Sequence, residues 1–232
     1  MELAGTEDHL ADRRLVVIAA QDISSYAMAV PAGWVHIPIG DRASMLGVIS
    51  SVVEDTADNS WRASIGSLFD TALASDPNGR LLDTFMTQGP LPGTAIAASI
   101  TVARVEVVPS DDHGVEELLL ARLTRDGARV RSIGGSVGVV STTLGESERA
   151  VEDSAEVLAR ETALLQVPGQ DAFVLALVLN VVADTSGDRP GAESERNVVH
   201  ALSDLFDAML GTFRWVDHTG AVVPPAEARE AW

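Results

Sequence analysis

The N-terminal third of the chain combines short apolar runs with helical periodicity. Three runs predict extended segments: Leu15 to Ala20, Tyr26 to Val30 and Trp34 to Ile39. Apolar residues then recur every three or four positions, the spacing of one helix face, in two segments that begin near Asp41 and near Asn59. The apolar residues between Leu81 and Met86 predict one further short helix.

The rest of the chain is richer in β-branched residues and predicts mostly strands. The predicted strands are Ala95 to Val108, Arg129 to Ile133, Val137 to Thr143, Glu156 to Val167, Ala172 to Val182 and Phe213 to Val216. Val115 to Thr124 fits a helix that ends near Gly127, although Asp126-Gly127 would also suit a hairpin. A longer amphipathic helix is predicted from Glu193 to Gly211.

Two features near the C-terminal end determine the expected architecture. The Pro168-Gly169 turn is too short for a crossover helix, so its flanking strands should pair antiparallel. Ala172 to Val182 is apolar on both faces apart from Asn180, so both sides of the sheet must be covered. We therefore predict an α+β fold with a single antiparallel β-sheet and helices on both faces. The predicted organisation is a flexible lead-in, one domain and a tail: residues 1–14, 15–220 and 221–232.

Composition excludes several kinds of site. The chain has no Cys, and all 16 of its basic residues are Arg, which removes thiolate and lysine chemistry. The formal net charge of −18 disfavours nucleic acid and anionic lipid, and favours a protein partner with a basic surface. No apolar run reaches the roughly 18 residues of a membrane span. The apolar stretch after Arg13-Arg14 is too short for a secretory signal, so we expect a cytoplasmic protein.

One motif resembles a hydrolase nucleophile. The segment Gly134-Gly135-Ser136-Val137-Gly138 matches G-x-S-x-G, in which a helix must follow the Ser so that a tight turn exposes the hydroxyl. Residues that could complete a triad occur later in the chain: Asp184, Asp188, His200 and His218. The residues after Ser136 are β-branched and predict a strand, however, so we interpret the motif as a glycine-rich β-turn or bulge.

A metal site is a weaker possibility. Asp111-Asp112-His113 with Glu116-Glu117 contains ligand types for a divalent cation, but the spacing matches no established site. An acidic loop that leads into a helix is the preferred interpretation. We predict no catalytic residue, no metal and no cofactor.

The candidate binding residues are mostly aromatic. Tryptophan is enriched at interfaces, yet in a chain with only 4% aromatic residues it more often anchors the core. Trp34, Trp61 and Trp215 each adjoin the end of a predicted element, and His36 follows Trp34 on the same strand. The five candidates are Trp34, His36, Trp61, Arg214 and Trp215.

Two stretches resemble PsbP-like proteins. The segment from Pro31 to Pro38 resembles their opening, and the segment from Leu205 to Trp215 resembles the last helix and strand of actinobacterial relatives. Those relatives include LpqN-type lipoproteins and proteins encoded near type VII secretion genes. The likeness covers residues 26–55 and 155–216. It implies an α/β/α sandwich and a non-catalytic role in binding a partner protein or assisting assembly.

These observations lead to one predicted function and two alternatives. The prediction is a non-catalytic protein-binding or chaperone-like accessory protein, linked to type VII secretion in actinobacteria. The alternatives are a serine-type esterase that uses Ser136 and a binder of a small apolar ligand between helix and sheet.

Overall fold

In the computed structural model, the residues described are 23–38, 80–107, 114–126, 128–144, 155–184 and 191–224. Several predictions lie outside them: the first extended run, the two helical segments that begin near Asp41 and Asn59, and the acidic loop at Asp111 to His113.

Within these residues the chain forms nine strands and two helices. The strands are β1 Ile23–Ala27, β2 Trp34–Pro38, β3 Leu81–Thr87, β4 Ile96–Glu106, β5 Arg129–Ile133, β6 Ser136–Leu144, β7 Ala155–Gln166, β8 Phe173–Asp184 and β9 Arg214–Asp217. The helices are α1 Val115–Asp126 and α2 Ala192–Thr212. Seven strands form an antiparallel sheet in the order β2-β3-β4-β8-β7-β6-β5, and β1 pairs with β9 in a separate sheet.

β8 lies at the centre of the seven-stranded sheet, between β4 and β7. Its antiparallel pairing with β7 across the Pro168-Gly169 turn confirms the prediction made from that turn. Leu175 and Leu177 project to one side of the sheet, and Val174 and Ala176 to the other, and all four are buried. Each side therefore has to be shielded from water. We call these sides the α2 face and the α1 face, after the helix that packs on each.

The α2 face is covered by a helix and by the small sheet together. Leu202, Phe206 and Leu210 of α2 pack into one cluster with the leucines of β8. Phe213, which directly precedes β9, and Trp215 of β9 belong to the same cluster. Full burial of each such side chain contributes about 1.5–3 kcal/mol, and this is the larger of the two apolar clusters in the described part of the chain.

The α1 face has a smaller cluster. Val115 and Leu119 of α1 pack with Val139, Leu164 and Val174 of three neighbouring strands. Glu116 and Glu117 lie in the first turn of α1, where the partial positive charge of the helix N-terminus favours carboxylates. The helix prediction for Val115 to Thr124 is thus confirmed, and the alternative hairpin at Asp126-Gly127 is wrong.

The predicted fold class, a single antiparallel sheet with helices on both faces as in an α/β/α sandwich, is wrong. Strands make up 51% of the described residues, and they form a seven-stranded and a two-stranded sheet, with two helices. The physical reason is that β1 and β9 cover part of the α2 face that we expected a helix to cover. Val223 extends this cover, because its N–H donates to the Trp215 carbonyl at 2.8 Å and its side chain is buried.

The predicted short helix between Leu81 and Met86 is also wrong, because this segment is strand β3. Thr84, Phe85 and Met86 are consecutive and all buried, so both sides of the strand are covered. A strand buried on both sides loses the alternation that identifies strands in a sequence, and its apolar residues then also fit a helical spacing. The strand predictions for β4 to β8 and the helix prediction for α2 are confirmed.

The β5–β6 hairpin explains the glycines of the G-x-S-x-G motif. Gly134 and Gly135 have φ of 59° and 82°, and positive φ at both turn positions is typical of a type I′ turn. A Cβ on Gly134 would lie 2.9 Å from Cδ1 of Phe213, so the turn also packs closely against the start of β9.

Two arginines of β5 attach α2 to this end of the sheet. The Arg129 guanidinium donates to both carboxylate oxygens of Asp207 at 3.0 and 2.9 Å. Arg131 donates to the same carboxylate and, at 3.0 Å, to the Asp207 carbonyl. Glu161, only 2% exposed, accepts a 2.6 Å hydrogen bond from Ser203, and its second oxygen lies 3.6 Å from Arg129.

We expect Gly134→Ala to destabilise the protein more than Gly93→Ala. Both positions have positive φ, which costs an alanine about 1–2 kcal/mol. Only Gly134 has a neighbour within 4 Å of the added Cβ, so it should lose about 1–3 kcal/mol more through overpacking. Urea unfolding of the two variants measures the difference. Equal losses would show that Phe213 moves away without cost.

Candidate functional site

Tyr26, His36 and Asp83 form a polar cluster where the small sheet meets the edge of the large one. His36 Nε2 lies 2.6 Å from Asp83 Oδ1, and the Tyr26 hydroxyl donates to Asp83 Oδ2. Both oxygens of the Asp83 carboxylate are therefore engaged, one by each sheet.

Strand register explains why these side chains meet. His36 of β2 pairs with Phe85 of β3, and Asp83 lies two residues from Phe85, so Asp83 is the diagonal neighbour of His36 on one face. The His36 ring stacks on Phe85 with centroids 4.7 Å apart, and the Tyr26 ring stacks on Phe213 at 5.5 Å. The two stacked pairs hold the imidazole and the phenol against the carboxylate.

The environment keeps the Tyr26 phenol protonated. Burial, followed by the hydrogen bond to Asp83 and the charge of that carboxylate, raises the pKa of Tyr26 well above its ordinary value. The Tyr26 hydroxyl therefore stays a hydrogen-bond donor to Asp83. The His36 side chain, in contrast to the buried phenol, is 50% exposed to solvent.

His36 and Asp83 have the geometry of a base held by an orienting carboxylate, which is half of a hydrolase triad. A hydroxyl or thiol nucleophile within hydrogen-bond distance of the imidazole would complete it. No such bond to His36 occurs within the part of the chain that the structure describes. Among these residues the cluster acts as a tie that joins β1 to β3.

Ser136 has a different environment from that of a nucleophile. Its hydroxyl is buried and accepts a 2.8 Å hydrogen bond from the Trp215 indole N–H. It begins strand β6, so a strand follows it where a nucleophile elbow requires a helix. Neither His200 nor His218 is hydrogen-bonded to it, and Asp188 lies outside the described residues.

The other predicted binding residues have structural roles in the described part of the chain. Trp215 is 3% exposed in the core, and Trp34 is partly buried against the same cluster. Arg214 donates to the carbonyls of Gly211 at 3.1 Å and Phe213 at 2.6 Å, where the last carbonyls of α2 need partners. Trp61 lies outside the described residues.

Sequence reasoning identified His36 but missed Tyr26 and Asp83. Asp83 lay in the segment assigned to a helix, so no strand partner was considered for it. Tyr26 is the only Tyr of the chain, and that was the one available signal.

A second feature is a shallow groove of about 480 Å³ at the N-terminal end of α1. It is lined by Gly114, Val115, Glu116, Glu117, Leu120, Gln166 and Asp171. Leu120 is 59% exposed, and Val137 and Val130 on the same face of the sheet are 51% and 60% exposed. Val137 precedes Gly138 on β6, and Gly138 pairs with Leu165 of β7. The antiparallel register therefore places Val137 beside Gln166, which lines the groove. The groove is acidic at its rim and apolar at its side.

Among the residues described, no three His, Asp or Glu side chains are grouped closely enough to hold a metal ion. The described helices include none that is both long enough and apolar enough to cross a membrane.

Tyr26 provides a clean pH experiment, because a chain with one Tyr and neither Lys nor Cys has no other side chain that titrates between about pH 9 and 12. The unfolded chain loses the phenol proton near pH 10, whereas the folded chain retains it. The contribution of Tyr26 to the free energy of unfolding is therefore fully present below pH 10 and falls as the pH rises above it. We expect a loss of about 1.4 kcal/mol per pH unit there, measured by urea unfolding. Tyr26→Phe should remove this slope.

Ultraviolet absorbance of tyrosinate gives the control. The native protein should show no tyrosinate band at pH 10.5 while circular dichroism reports a folded chain, and the urea-unfolded protein should show about three-quarters of the full band. A band that appears near pH 10 in the folded protein would contradict the buried donor assigned to Tyr26.

We expect Ser136→Ala to lower the free energy of unfolding by about 1–3 kcal/mol, because the Trp215 N–H is then buried without an acceptor. Ser132→Ala, at an exposed position of the same hairpin, should change it by less than about 0.5 kcal/mol. A fluorophosphonate probe should not label the native protein. Labelling that disappears in Ser136→Ala would instead establish the esterase.

Comparisons with protein-family models, curated proteins and solved structures found no match. The resemblance to PsbP-like proteins therefore stays a prediction.

Proposed function

We propose that this chain is a non-catalytic binding protein whose α1 face takes a cationic, amphipathic segment of another protein. The observation that carries the proposal is the groove at the start of α1, which is lined by the exposed Leu120 and by three carboxylates, those of Glu116, Glu117 and Asp171.

The apolar part of this surface supplies the driving force. Leu120, which lines the groove, and Val137 beside it are each more than half exposed, although other large apolar side chains of the described strands are mostly buried. Covering such side chains releases about 25 cal/mol for each Å² removed from water. A partner that brings two or three apolar residues to the groove would cover them.

The acidic part supplies orientation and selectivity. Glu116 and Asp171 both line the groove, one from the first turn of α1 and one from the β7–β8 connection. The net charge of −18 attracts cationic partners over longer distances and repels anionic ones. Such attraction weakens as salt shortens the Debye length to about 8 Å at 0.15 M.

The geometry favours this function over the two alternatives. An esterase needs an accessible hydroxyl, and Ser136 is buried and hydrogen-bonded to Trp215. A small apolar ligand needs an enclosed apolar cavity, whereas the groove is open and carries carboxylates.

The resemblance to PsbP-like proteins adds two elements to the proposal. It implies an accessory role linked to type VII secretion in actinobacteria, and we place the interaction in the cytoplasm. The partner is then a protein with a basic, amphipathic segment.

A synthetic amphipathic helix of Leu and Lys tests the groove directly. We expect this peptide to bind in low salt. The double variant Glu116→Gln with Asp171→Asn should weaken binding roughly five- to tenfold, because it removes about two exposed ion pairs with the peptide. The matched control is Glu193→Gln with Asp204→Asn, which removes the same charge from exposed positions of α2. Isothermal titration calorimetry measures both.

Two outcomes would contradict the proposal. Equal weakening in the two double variants would mean that the peptide responds only to net charge. Unchanged binding in Leu120→Ser would mean that the apolar side of the groove is not covered.

A further inference from the structure

The outer edge of β5 is a second surface, distinct from the groove. β5 is the last strand of the seven-stranded sheet, and none of the other strands in the described ranges pairs with its outer side. A strand at the edge of a sheet presents backbone N–H and C=O groups that can pair with another chain.

The hairpin turn determines which groups point outward. In a two-residue type I′ hairpin the residues that flank the turn exchange both backbone hydrogen bonds, and hydrogen-bonded pairs then alternate along the strands. Ile133, Arg131 and Arg129 therefore bond to β6 through the pairs Ile133–Ser136, Arg131–Gly138 and Arg129–Val140. The N–H and C=O groups of Val130 and Ser132 are left to point away from the sheet.

The side chains on the α1 face of this edge do not protect it. Val130 is 60% exposed, Ser132 is exposed, and the neighbouring Val137 on β6 is 51% exposed. Natural edge strands are commonly guarded by a charged side chain, a proline or a bulge. β5 has none of these on its α1 face, and Val130 offers an apolar contact to a side chain of an added strand.

The α2 face of the same edge carries two guanidinium groups. Arg129 and Arg131 have side chains 59% and 30% exposed, and they share Asp207, which is 34% exposed. The second carboxylate nearby, Glu161, is 2% exposed and lies 3.6 Å from Arg129 without a hydrogen bond between them. The two carboxylates balance the charge of the two arginines, but Arg129 donates to Asp207 through Nη2 alone. Within the described residues its other N–H groups can therefore donate to a further carboxylate.

This pattern defines the occupant. A second copy of the chain is disfavoured, because the antiparallel register that uses both Val130 and Ser132 places Arg131 beside the Arg131 of the copy, and like charges directly opposite each other destabilise a pair of strands. Two chains of charge −18 also repel each other. A strand with an acidic residue opposite Arg131 and apolar residues next to Val130 satisfies both faces.

We propose that the outer edge of β5 binds an extended segment of another protein, with alternating apolar and acidic residues, as an added antiparallel strand of the sheet. The backbone groups of Val130 and Ser132 pair with the segment, Val130 packs with its apolar residues, and Arg129 and Arg131 contact its carboxylates. This surface does not depend on the groove beside α1, so either proposal can fail alone.

The probe is a nine-residue peptide that alternates Val and Glu, capped at both ends, and the control peptide has Gln in place of Glu. At 0.15 M salt we expect the Glu peptide to bind and the Gln peptide to bind roughly tenfold more weakly or not at all. Amide hydrogen exchange followed by NMR should show new protection at Val130 and Ser132 when the Glu peptide is added. Arg129 and Arg131, already bonded to β6, should change little.

Val130→Pro is the decisive variant, because proline removes the outward N–H without touching a bond to β6. Val130→Thr is its matched control, since threonine keeps the N–H and the β-branched shape. We expect Val130→Pro to weaken binding of the Glu peptide roughly tenfold relative to Val130→Thr, with circular dichroism showing that both variants are folded.

Three results would overturn the proposal. One is the absence of binding by the Glu peptide at millimolar concentration. Another is binding without new protection at Val130 and Ser132, or with equal affinity in the two Val130 variants. The third is protection of these amides that rises with protein concentration in the absence of peptide, which would identify a second copy of the chain as the occupant.

Discussion

A strand that is apolar on both faces cannot be left exposed on either, and β8 imposes this constraint on the rest of the molecule. Its leucines face α2 and the small sheet, and Val174 and Ala176 face α1. β4 and β7 flank it along nearly its whole length, so the centre of the sheet satisfies its backbone groups as well as its side chains. The other strands extend from this centre toward edges that are short and partly polar.

The small sheet explains why so many residues that suggest chemistry have structural roles. It packs on the α2 face, where β1 is held by the bond from Tyr26 to Asp83 and β9 by the bond from Trp215 to Ser136. The bonds between the layers therefore use a phenol, a carboxylate, an indole and a hydroxyl, while the His36 imidazole contacts the Asp83 carboxylate from within the large sheet. The two surfaces that we propose for partners lie on the α1 face and at the β5 edge.

The sequence was informative wherever a local signal was enough. Pro168-Gly169 determined the β7–β8 pairing, and Gly134-Gly135 indicated the β5–β6 hairpin. β3 was misassigned because burial on both sides removed its alternation. The β1–β9 pair had no local signal, since Ile23 and Asp217 are far apart in the chain. Asp83 was missed with β3, and the Tyr26–Asp83–His36 cluster could not be assembled without that strand.

The pairing of β1 with β9 also affects the order in which the fold can form. Ile23–Asp217, Tyr26–Trp215 and Ala27–Arg214 are among the contacts of greatest sequence separation in the molecule. Closing so long a loop is entropically costly until other contacts have brought its ends together. During synthesis, β1 leaves the ribosome early but cannot pair until β9 emerges, after β8 and α2. Until then Tyr26 has no Phe213 to stack on, and the leucine side of the central strand stays open to solvent at the end that the small sheet will close.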